Sequence, residues 1–316
     1  MHIAEPTVER FPNRLMAYFA ATRPAFILAT VIPIFLGLGY CIYEGHAINW
    51  LTAILTLLAG VLLHAGINVL NDYYDALNGT DELNEERVYP FTGGSRFIQN
   101  AVLSRKQTFI YGIALILVVM AIGTYLISHT GITLFWLGLF GILLGWGYSA
   151  PPLNLNSRGV GELSVLAGFS LLPLGTYLVQ TGTLSGMLLL VSLPVGLLTA
   201  NLLYINQFPD RKADIQAHKL HWVARLSPRV SRWGYVLIAL LAWLTLVALI
   251  LSGVLPLLAG ISLLPAILSI KAARILLQHA ATPRMLTPAI QMTILAMLTH
   301  GALLTLALVM ASFFGA

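Results

Sequence analysis

The chain alternates long apolar runs with short polar connections. A helix needs about 20 apolar residues to cross a bilayer. Nine runs come close to or exceed that length, so the pattern predicts nine membrane-spanning helices. They fall at residues 24–43, 48–70, 108–128, 132–149, 162–180, 184–206, 233–252, 254–270 and 286–313. The expected fold class is therefore all-α: a polytopic membrane protein whose helices surround a central cavity.

Composition agrees with this prediction and excludes a soluble domain. Of the 316 residues, 58% are hydrophobic and only 9% are charged, whereas soluble domains average about 45–50% apolar and about 25% charged residues. Residues 1–20 contain Glu5, Glu9, Pro12 and Arg14 and lack the apolar core of a cleavable signal peptide. We therefore expect residues 1–21 to be a segment that precedes a retained first span, and the whole chain, 1–316, to form a single domain.

The charge distribution predicts the orientation in the membrane. All 17 Lys and Arg residues lie before the first run or in the connections after the second, fourth, sixth and eighth runs. Basic loops of membrane proteins are cytoplasmic. The expected location is thus the inner (plasma) membrane, with the N-terminus and two long cap loops in the cytoplasm and the C-terminus on the opposite side. The basic pI follows from this topology and implies no nucleic acid.

Two acidic clusters end long apolar runs on the same side. The first contains Asp72 and Asp75, and the second contains Asp210 and Asp214. Charged groups inside a membrane cost roughly 2.5–3.5 kcal/mol each on insertion scales, so grouped carboxylates need a cation. The spacing of the second pair, four residues, places both acids on one helix face, and the same holds for His64, Asn68, Asp72 and Asp75 at steps of four, four and three.

Oxygen-rich faces of this kind suit Mg²⁺, which proteins hold through one or two carboxylates while phosphates and water complete the shell. A phosphorylated ligand is therefore expected. The candidate metal ligands are Asn68, Asn71, Asp72, Asp75, Asp81, Asp210 and Asp214. The basic residues suited to a diphosphate are Arg23, Arg96, Arg211, Lys212, Lys219 and Arg225. Such basic residues also serve as topology determinants or contacts to lipid head groups.

Aromatic residues and glycines near the acids complete the candidate site. His64, Tyr73, Tyr148, Tyr204 and Phe208 are expected in a substrate cavity, where ring faces can steady a developing carbocation. Aromatic residues at this depth also form membrane-interface belts. The pair Gly93-Gly94 lies between hydroxyl residues, and such a turn lets backbone N–H groups approach an anion.

These motifs together resemble the UbiA superfamily of intramembrane prenyltransferases, whose aspartate-rich motifs have the forms NDxxD with a further Asp, and DxxxD. The likeness extends to residues 22–24, 148–152 and 158–162. Within the superfamily the chain is most similar to the 1,4-dihydroxy-2-naphthoate prenyltransferases of menaquinone and phylloquinone synthesis. That similarity rests on Asn68, residues 71–75 and 79–81, Thr92-Gly93-Gly94-Ser95, residues 205–210 and residues 223–226.

The resemblance implies an Mg²⁺-dependent enzyme that transfers a polyprenyl group from polyprenyl diphosphate to an aromatic acceptor, with Asp72, Asp75, Asp210 and Asp214 as catalytic residues. Two departures from the family pattern are His218, where glycine is usual, and Asn154 and Asn156, where many members have lysine.

Three alternatives stay open at this point. One is the same chemistry on 4-hydroxybenzoate, homogentisate or a glycerol phosphate lipid. Another is a cation-coupled transporter, although transporters place such acids near the membrane midplane. The last is a non-catalytic scaffold, which would leave the paired acids without an explanation.

Overall fold

The structure, a computed structural model, describes residues 4–314. Over that part of the chain the regular secondary structure is entirely helical. The α-helices are α1 Arg14–Ala21, α2 Pro24–Tyr43, α3 Trp50–Asn78, α4 Thr80–Leu83, α5 Arg105–Thr130, α6 Ile132–Ser149, α7 Gly161–Thr181, α8 Gly186–Gln216, α9 Trp222–Arg225, α10 Pro228–Leu251, α11 Ala266–His279 and α12 Thr287–Phe314.

Nine helical segments within residues 4–314 are long and apolar enough to span a membrane. Seven are α2, α3, α5, α6, α7, α8 and α10, and the other two are Leu257–His279 and Pro283–Phe314, each a short 3₁₀ helix followed by α11 or α12. The prediction of an all-α, nine-span membrane protein is confirmed. Large apolar side chains such as Trp136, Phe140 and Leu244 are exposed on the outside of the bundle, as expected for a surface that contacts lipid.

Both spans that carry an acidic cluster extend well beyond the apolar runs that predict them. Helix α3 continues to Asn78 and α8 to Gln216, so both aspartate motifs are helical. The expected sharing of a helix face by Asp210 and Asp214 follows from this extension. The eighth span is instead interrupted, because Pro265 cannot donate a backbone hydrogen bond and separates the 3₁₀ helix from α11.

The most buried span, α8, lies at the centre of the bundle and contacts α2, α7, α10 and α12. Apolar side chains from α8, α10, α11 and α12, including Leu198, Tyr235, Leu276 and Ile290, form one continuous core there. The opposite flank is more open: α3 packs on α5, and α6 contacts α3, α5 and α7. Here the packing leaves a cavity.

The segment before α2 packs against the loop between α4 and α5. Ala17 and Ala21 of α1 are buried against Phe97, Val102 and Leu103. Further upstream, Glu5 pairs with Arg87 (2.7 Å) and accepts a hydrogen bond from Asn100 (3.2 Å). This segment therefore holds the loop that lies beside the acidic clusters.

Candidate active site

A single cavity of about 590 Å³ connects both acidic clusters to the apolar interior of the bundle. Its polar end is lined by Asn68, Asn71, Asp75, Asp81, Asp210 and Asp214, together with Arg23, Lys219 and His221. Its other end is lined by apolar residues of α5, α6 and α7. The cavity thus brings together side chains that lie far apart in the sequence, and we call its polar part the acidic end.

The acids of α3 are held by partners on three other segments. The Asp72 carboxylate accepts hydrogen bonds from Arg23 Nη2 (2.6 Å) and from the backbone N–H of Ser95 (3.2 Å). It lies directly behind the cavity wall rather than on it. Asn71 donates to Asp75 (3.2 Å) and to Ser149 Oγ of α6 (2.8 Å). Asp72 thus faces the residue before α2 and the loop between α4 and α5, whereas Asn68, Asn71 and Asp75 line the cavity.

The acids of α8 face those of α3 across the acidic end. Asp210 accepts a hydrogen bond from Asn84 Nδ2 (2.6 Å). Asp214 Oδ2 lies 2.9 Å from His221 Nε2, and its Oδ1 lies 3.4 Å from Lys219 Nζ. The same ammonium group contacts both carboxylate oxygens of Asp75, at 3.1 and 3.2 Å. Lys219 therefore bridges the two acidic clusters.

The two cations at the acidic end stay charged because of the carboxylates around them. Burial lowers the pKa of Lys219, but the charges of Asp75 and Asp214 outweigh it and raise this pKa. Burial likewise opposes the charge on Arg23, and the charge of Asp72 raises its pKa. Burial, followed by the charges of Asp75 and Asp72, raises the pKa of Asp81 well above its usual range.

The glycine pair of the loop after α4 lies against this site. Gly93 and Gly94 both line the cavity and have φ of +78° and +75°, a region that favours glycine. A Cβ on Gly94 would lie 2.7 Å from the carboxylate carbon of Asp81. Position 94 therefore requires glycine, both because of its positive φ and because the backbone there lies close to the Asp81 carboxylate.

Four of the six predicted diphosphate-binding cations do not reach the cavity. Arg96 donates to the carbonyl of Asp81 and faces Glu5. Arg211 holds carbonyls of residues 223 and 226, and Lys212 pairs with Glu86 (2.5 Å) at the surface. Arg225 donates to the carbonyl of residue 158 (3.2 Å). These contacts to backbone and surface groups direct them away, and only Arg23 and Lys219 line the cavity.

The predicted cavity aromatics divide in the same way. His64 and Tyr148 line the cavity, whereas three others pack elsewhere. Tyr73 stacks against Tyr74 and Phe109, Tyr204 donates to the carbonyl of Ser231 (2.7 Å), and Phe208 lies in the apolar core. These three rings do not line the cavity because they project from the sides of α3 and α8 that face away from it. The cavity is instead lined by the aromatic rings of Phe26, Phe91, Phe135 and Phe169.

Several polar supports of the site were not predicted from the sequence. Ser149, Asn84 and His221 each contact a motif residue, and Thr30 Oγ1 lies 2.6 Å from His64 Nδ1. Of the two departures from the family pattern, Asn156 lines the cavity and Asn154 does not. His218 has φ +58° and is exposed. The only available signal was proximity in sequence to a motif.

The donor set at the acidic end fits Mg²⁺ without forming a complete metal cage. Within the described residues no three His, Cys, Asp or Glu side chains form a ready-made metal-binding group. The carboxylate oxygens Asp81 Oδ2 and Asp214 Oδ1 are nevertheless buried and lack a hydrogen-bond partner, Lys219 lying near the latter but outside hydrogen-bonding geometry. Mg²⁺ is usually held by one or two carboxylates plus phosphate oxygens and water, and this arrangement offers that.

Comparison with known proteins identifies the family. The model of the UbiA prenyltransferase family matches residues 30–293. The chain belongs to the UbiA prenyltransferase family. As a UbiA family member it is a prenyltransferase, and the transporter and scaffold alternatives are removed.

Individual relatives agree with this assignment. The chain is 31% identical to the 1,4-dihydroxy-2-naphthoate octaprenyltransferase of Haemophilus influenzae over 70% of this chain and 72% of that protein. It is 28% identical to the Escherichia coli protein of the same name over 93% of both chains. A UbiA homologue from Archaeoglobus fulgidus, solved bound to GPP and Mg²⁺, has a TM-score of 0.58 at 15% identity and covers 91% of this chain and 99% of its own. That likeness shows a shared fold.

Proposed function

We propose that the protein transfers a polyprenyl group from polyprenyl diphosphate to 1,4-dihydroxy-2-naphthoate in quinone biosynthesis, with Mg²⁺ as the cofactor. The observation that carries the proposal is the convergence of two carboxylate clusters at one end of a largely apolar cavity. The relatives from H. influenzae and E. coli, both named octaprenyltransferases for this acceptor, support the choice of substrates.

The acidic end suits the diphosphate of the donor. Asp75, Asp81, Asp210 and Asp214 would hold Mg²⁺, with Asp72 positioned behind them by Arg23. When bound, Mg²⁺ neutralises the diphosphate and stabilises the charge that develops as it leaves. Among the described residues, Lys219 and Arg23 are the lysine and arginine that line the cavity, and they would contact the diphosphate oxygens.

The apolar part of the cavity suits the prenyl chain. Leu134, Gly138, Gly141, Gly145 and Tyr148 follow one another along the cavity-facing side of α6. The fourteen residue steps from Leu134 to Tyr148 correspond to about 21 Å at 1.5 Å per residue. An extended chain advances roughly 1.2 Å per bond, as a peptide does, so a five-carbon unit covers about 5 Å. The cavity thus takes about four units, and a longer tail would extend into lipid.

The proposed reaction breaks the bond between the prenyl C1 and the diphosphate oxygen, and the diphosphate leaves with the electron pair. The allylic cation that remains lies beside rings such as Phe91 and Phe169, which exclude water. The electron-rich ring carbon that carries the carboxylate then forms a bond to C1. With dihydroxynaphthoate, the carboxylate is lost as CO₂, which restores the aromatic ring.

The test supplies purified protein in detergent with Mg²⁺, prenyl diphosphates of several lengths and a panel of aromatic acids. The expected result is a prenylated, decarboxylated naphthol identified by mass, absent when a chelator is added. Asp75→Asn and Asp210→Asn should abolish diphosphate release without loss of folding. Turnover of 4-hydroxybenzoate or homogentisate in preference to the naphthoate would overturn the proposed acceptor.

We further propose that the protein spans the inner membrane with its N-terminus and acidic end on the cytoplasmic side, as the basic loops indicate. A C-terminal alkaline phosphatase fusion should be active, and a C-terminal green fluorescent protein fusion should be dark. The reverse pair of results would contradict this topology.

A further inference from the structure

One buried histidine at the acidic end has no role in the function described so far. His221 lies in the connection between α8 and α9, lines the cavity and is only 2% exposed. Its ring makes two contacts: Nδ1 lies 3.2 Å from the backbone N of Ala224, and Nε2 lies 2.9 Å from Asp214 Oδ2. The ring therefore connects the first turn of α9 to an acid of the second motif.

These two contacts define which ring nitrogen carries the proton. The backbone N–H of Ala224 can only donate, so Nδ1 accepts and carries no proton. The proton of the neutral ring is then on Nε2, which donates it to Asp214 Oδ2. His221 thus holds one oxygen of Asp214 in a fixed direction, and the side chain cannot rotate without breaking this bond.

Because Oδ2 is engaged, the other oxygen of Asp214 is the one available to a ligand. Asp214 Oδ1 is buried, lacks a hydrogen-bond partner and lies 3.4 Å from the Lys219 ammonium group. Carboxylates that bind metals are commonly oriented by such an outer hydrogen bond. We propose that His221 is a positioning residue that aims Asp214 Oδ1 at Mg²⁺, an inference that rests on the proposed metal-dependent function.

A simpler role for His221 would be to cap α9. Helix N-caps are ordinarily Ser, Thr, Asp or Asn, whose short side chains accept the backbone N–H. Histidine is larger than this task requires, and its second nitrogen reaches the acid. The two roles use different ring atoms, so two substitutions can separate them.

The experiment compares His221→Asn, His221→Gln and Asp214→Asn with the wild-type protein in lipid nanodiscs. Asparagine places an acceptor near the position of Nδ1 and keeps the cap, but it is too short to reach Asp214. Glutamine places a donor near the position of Nε2 and keeps the bond to Asp214. Binding of Mn²⁺, used as a surrogate for Mg²⁺ with inorganic pyrophosphate present, is measured by electron paramagnetic resonance. Thermal unfolding without metal reports the fold.

The expected result is a loss of Mn²⁺ affinity of about 10- to 100-fold in His221→Asn, as is typical when an outer hydrogen bond to a ligand is removed, with an unchanged Tm. His221→Gln should bind Mn²⁺ nearly as the wild type does, and Asp214→Asn should bind it weakly.

Three other results would overturn the inference. If His221→Asn binds Mn²⁺ normally while Asp214→Asn does not, the positioning role is refuted and the proposed function stands. If both His221 variants lose affinity and Tm together, the histidine acts only through the fold. If Asp214→Asn binds Mn²⁺ normally, the metal role proposed for Asp214 fails, and the inference fails with it.

Discussion

Among the described residues, Lys219 is the only cation that contacts both acidic clusters, and replacing it with methionine removes that cation. Methionine keeps most of the side-chain volume and removes the charge. The ammonium group lies 3.1 Å from Asp75 and 3.4 Å from Asp214, and its side chain is 12% exposed. We expect the variant to be less stable without metal and to regain stability when Mg²⁺ is added.

The size of the effect follows from these distances. At an effective dielectric constant of about 20, charges 3.1 and 3.4 Å apart attract by about 5 kcal/mol per pair. Desolvation offsets much of this, and removing one partner from a buried pair typically costs about 3–5 kcal/mol. Because the pKa of Lys219 is raised in the folded protein, the stability that its charge contributes is fully present below the unfolded-state pKa of about 10.4, and therefore at pH 7.

Thermal unfolding in detergent, with a chelator or with Mg²⁺, measures this prediction. For a chain of 316 residues, about 2 °C per kcal/mol gives a Tm lower by about 6–10 °C in the chelator. Mg²⁺ should raise Tm more in Lys219→Met than in the wild type, because it replaces the missing positive charge between the acids.

A matched control is Lys212→Met, since Lys212 also pairs with an acid, Glu86 at 2.5 Å, but its side chain is 69% exposed. Exposed pairs contribute about 1 kcal/mol or less, so this variant should unfold near the wild-type temperature. Equal shifts in the two variants, or no extra stabilisation of Lys219→Met by Mg²⁺, would refute the reasoning.

Three further substitutions test other parts of the structure. Gly94→Ala should lower kcat at least tenfold with a smaller effect on the donor KM, because its Cβ would displace the Asp81 carboxylate; steady-state kinetics at saturating Mg²⁺ measures this, and unchanged kinetics would contradict it. Glu5→Gln should lower Tm at pH 7, and the difference from the wild type should shrink as the pH falls below the unfolded-state Glu pKa of about 4.3. Burial raises the pKa of Glu5, but hydrogen bonds and charges from its arginine and asparagine partners outweigh burial and lower this pKa. The stability that Glu5 contributes is therefore lost as the pH falls through the lowered pKa. A difference in Tm that persisted at low pH would count against this explanation. Gly138→Leu should lower kcat/KM about tenfold or more for long donors and less for geranyl diphosphate, because a Cβ there enters open space in the cavity wall. The control is Gly260→Leu, which also adds a side chain in open space but lies outside the cavity lining. Equal losses of kcat/KM in both variants would exclude the cavity as the cause.

The acidic clusters could be predicted from the sequence because a carboxylate is strongly disfavoured in contact with lipid. A carboxylate at the end of an apolar run cannot face hydrocarbon, and the step of four between Asp210 and Asp214 places both on the cavity side of α8. The step of three between Asp72 and Asp75 was a poorer guide, because only Asp75 lines the cavity and Asp72 faces Arg23. The number and order of the spans follow from the length of apolar run that a bilayer requires.

The cations and supporting polar residues were less predictable. Arg96, Arg211, Lys212 and Arg225 have long, flexible side chains whose direction depends on partners elsewhere in the chain. The contact of Asn84 with Asp210 joins residues 126 positions apart, and no local pattern predicts it. Such pairings exist only once the loop between α4 and α5 has folded.

Helices α5 and α6 form one wall of the cavity and are the spans with the smallest buried share, 17% and 11% of their most apolar stretches. A bilayer-soluble substrate that reaches this wall arrives by diffusion in two dimensions. Its encounter rate then depends on its mole fraction in the membrane and not on its amount per volume of buffer. Added phospholipid vesicles would slow turnover by surface dilution, even though the total quantities of enzyme and donor were unchanged.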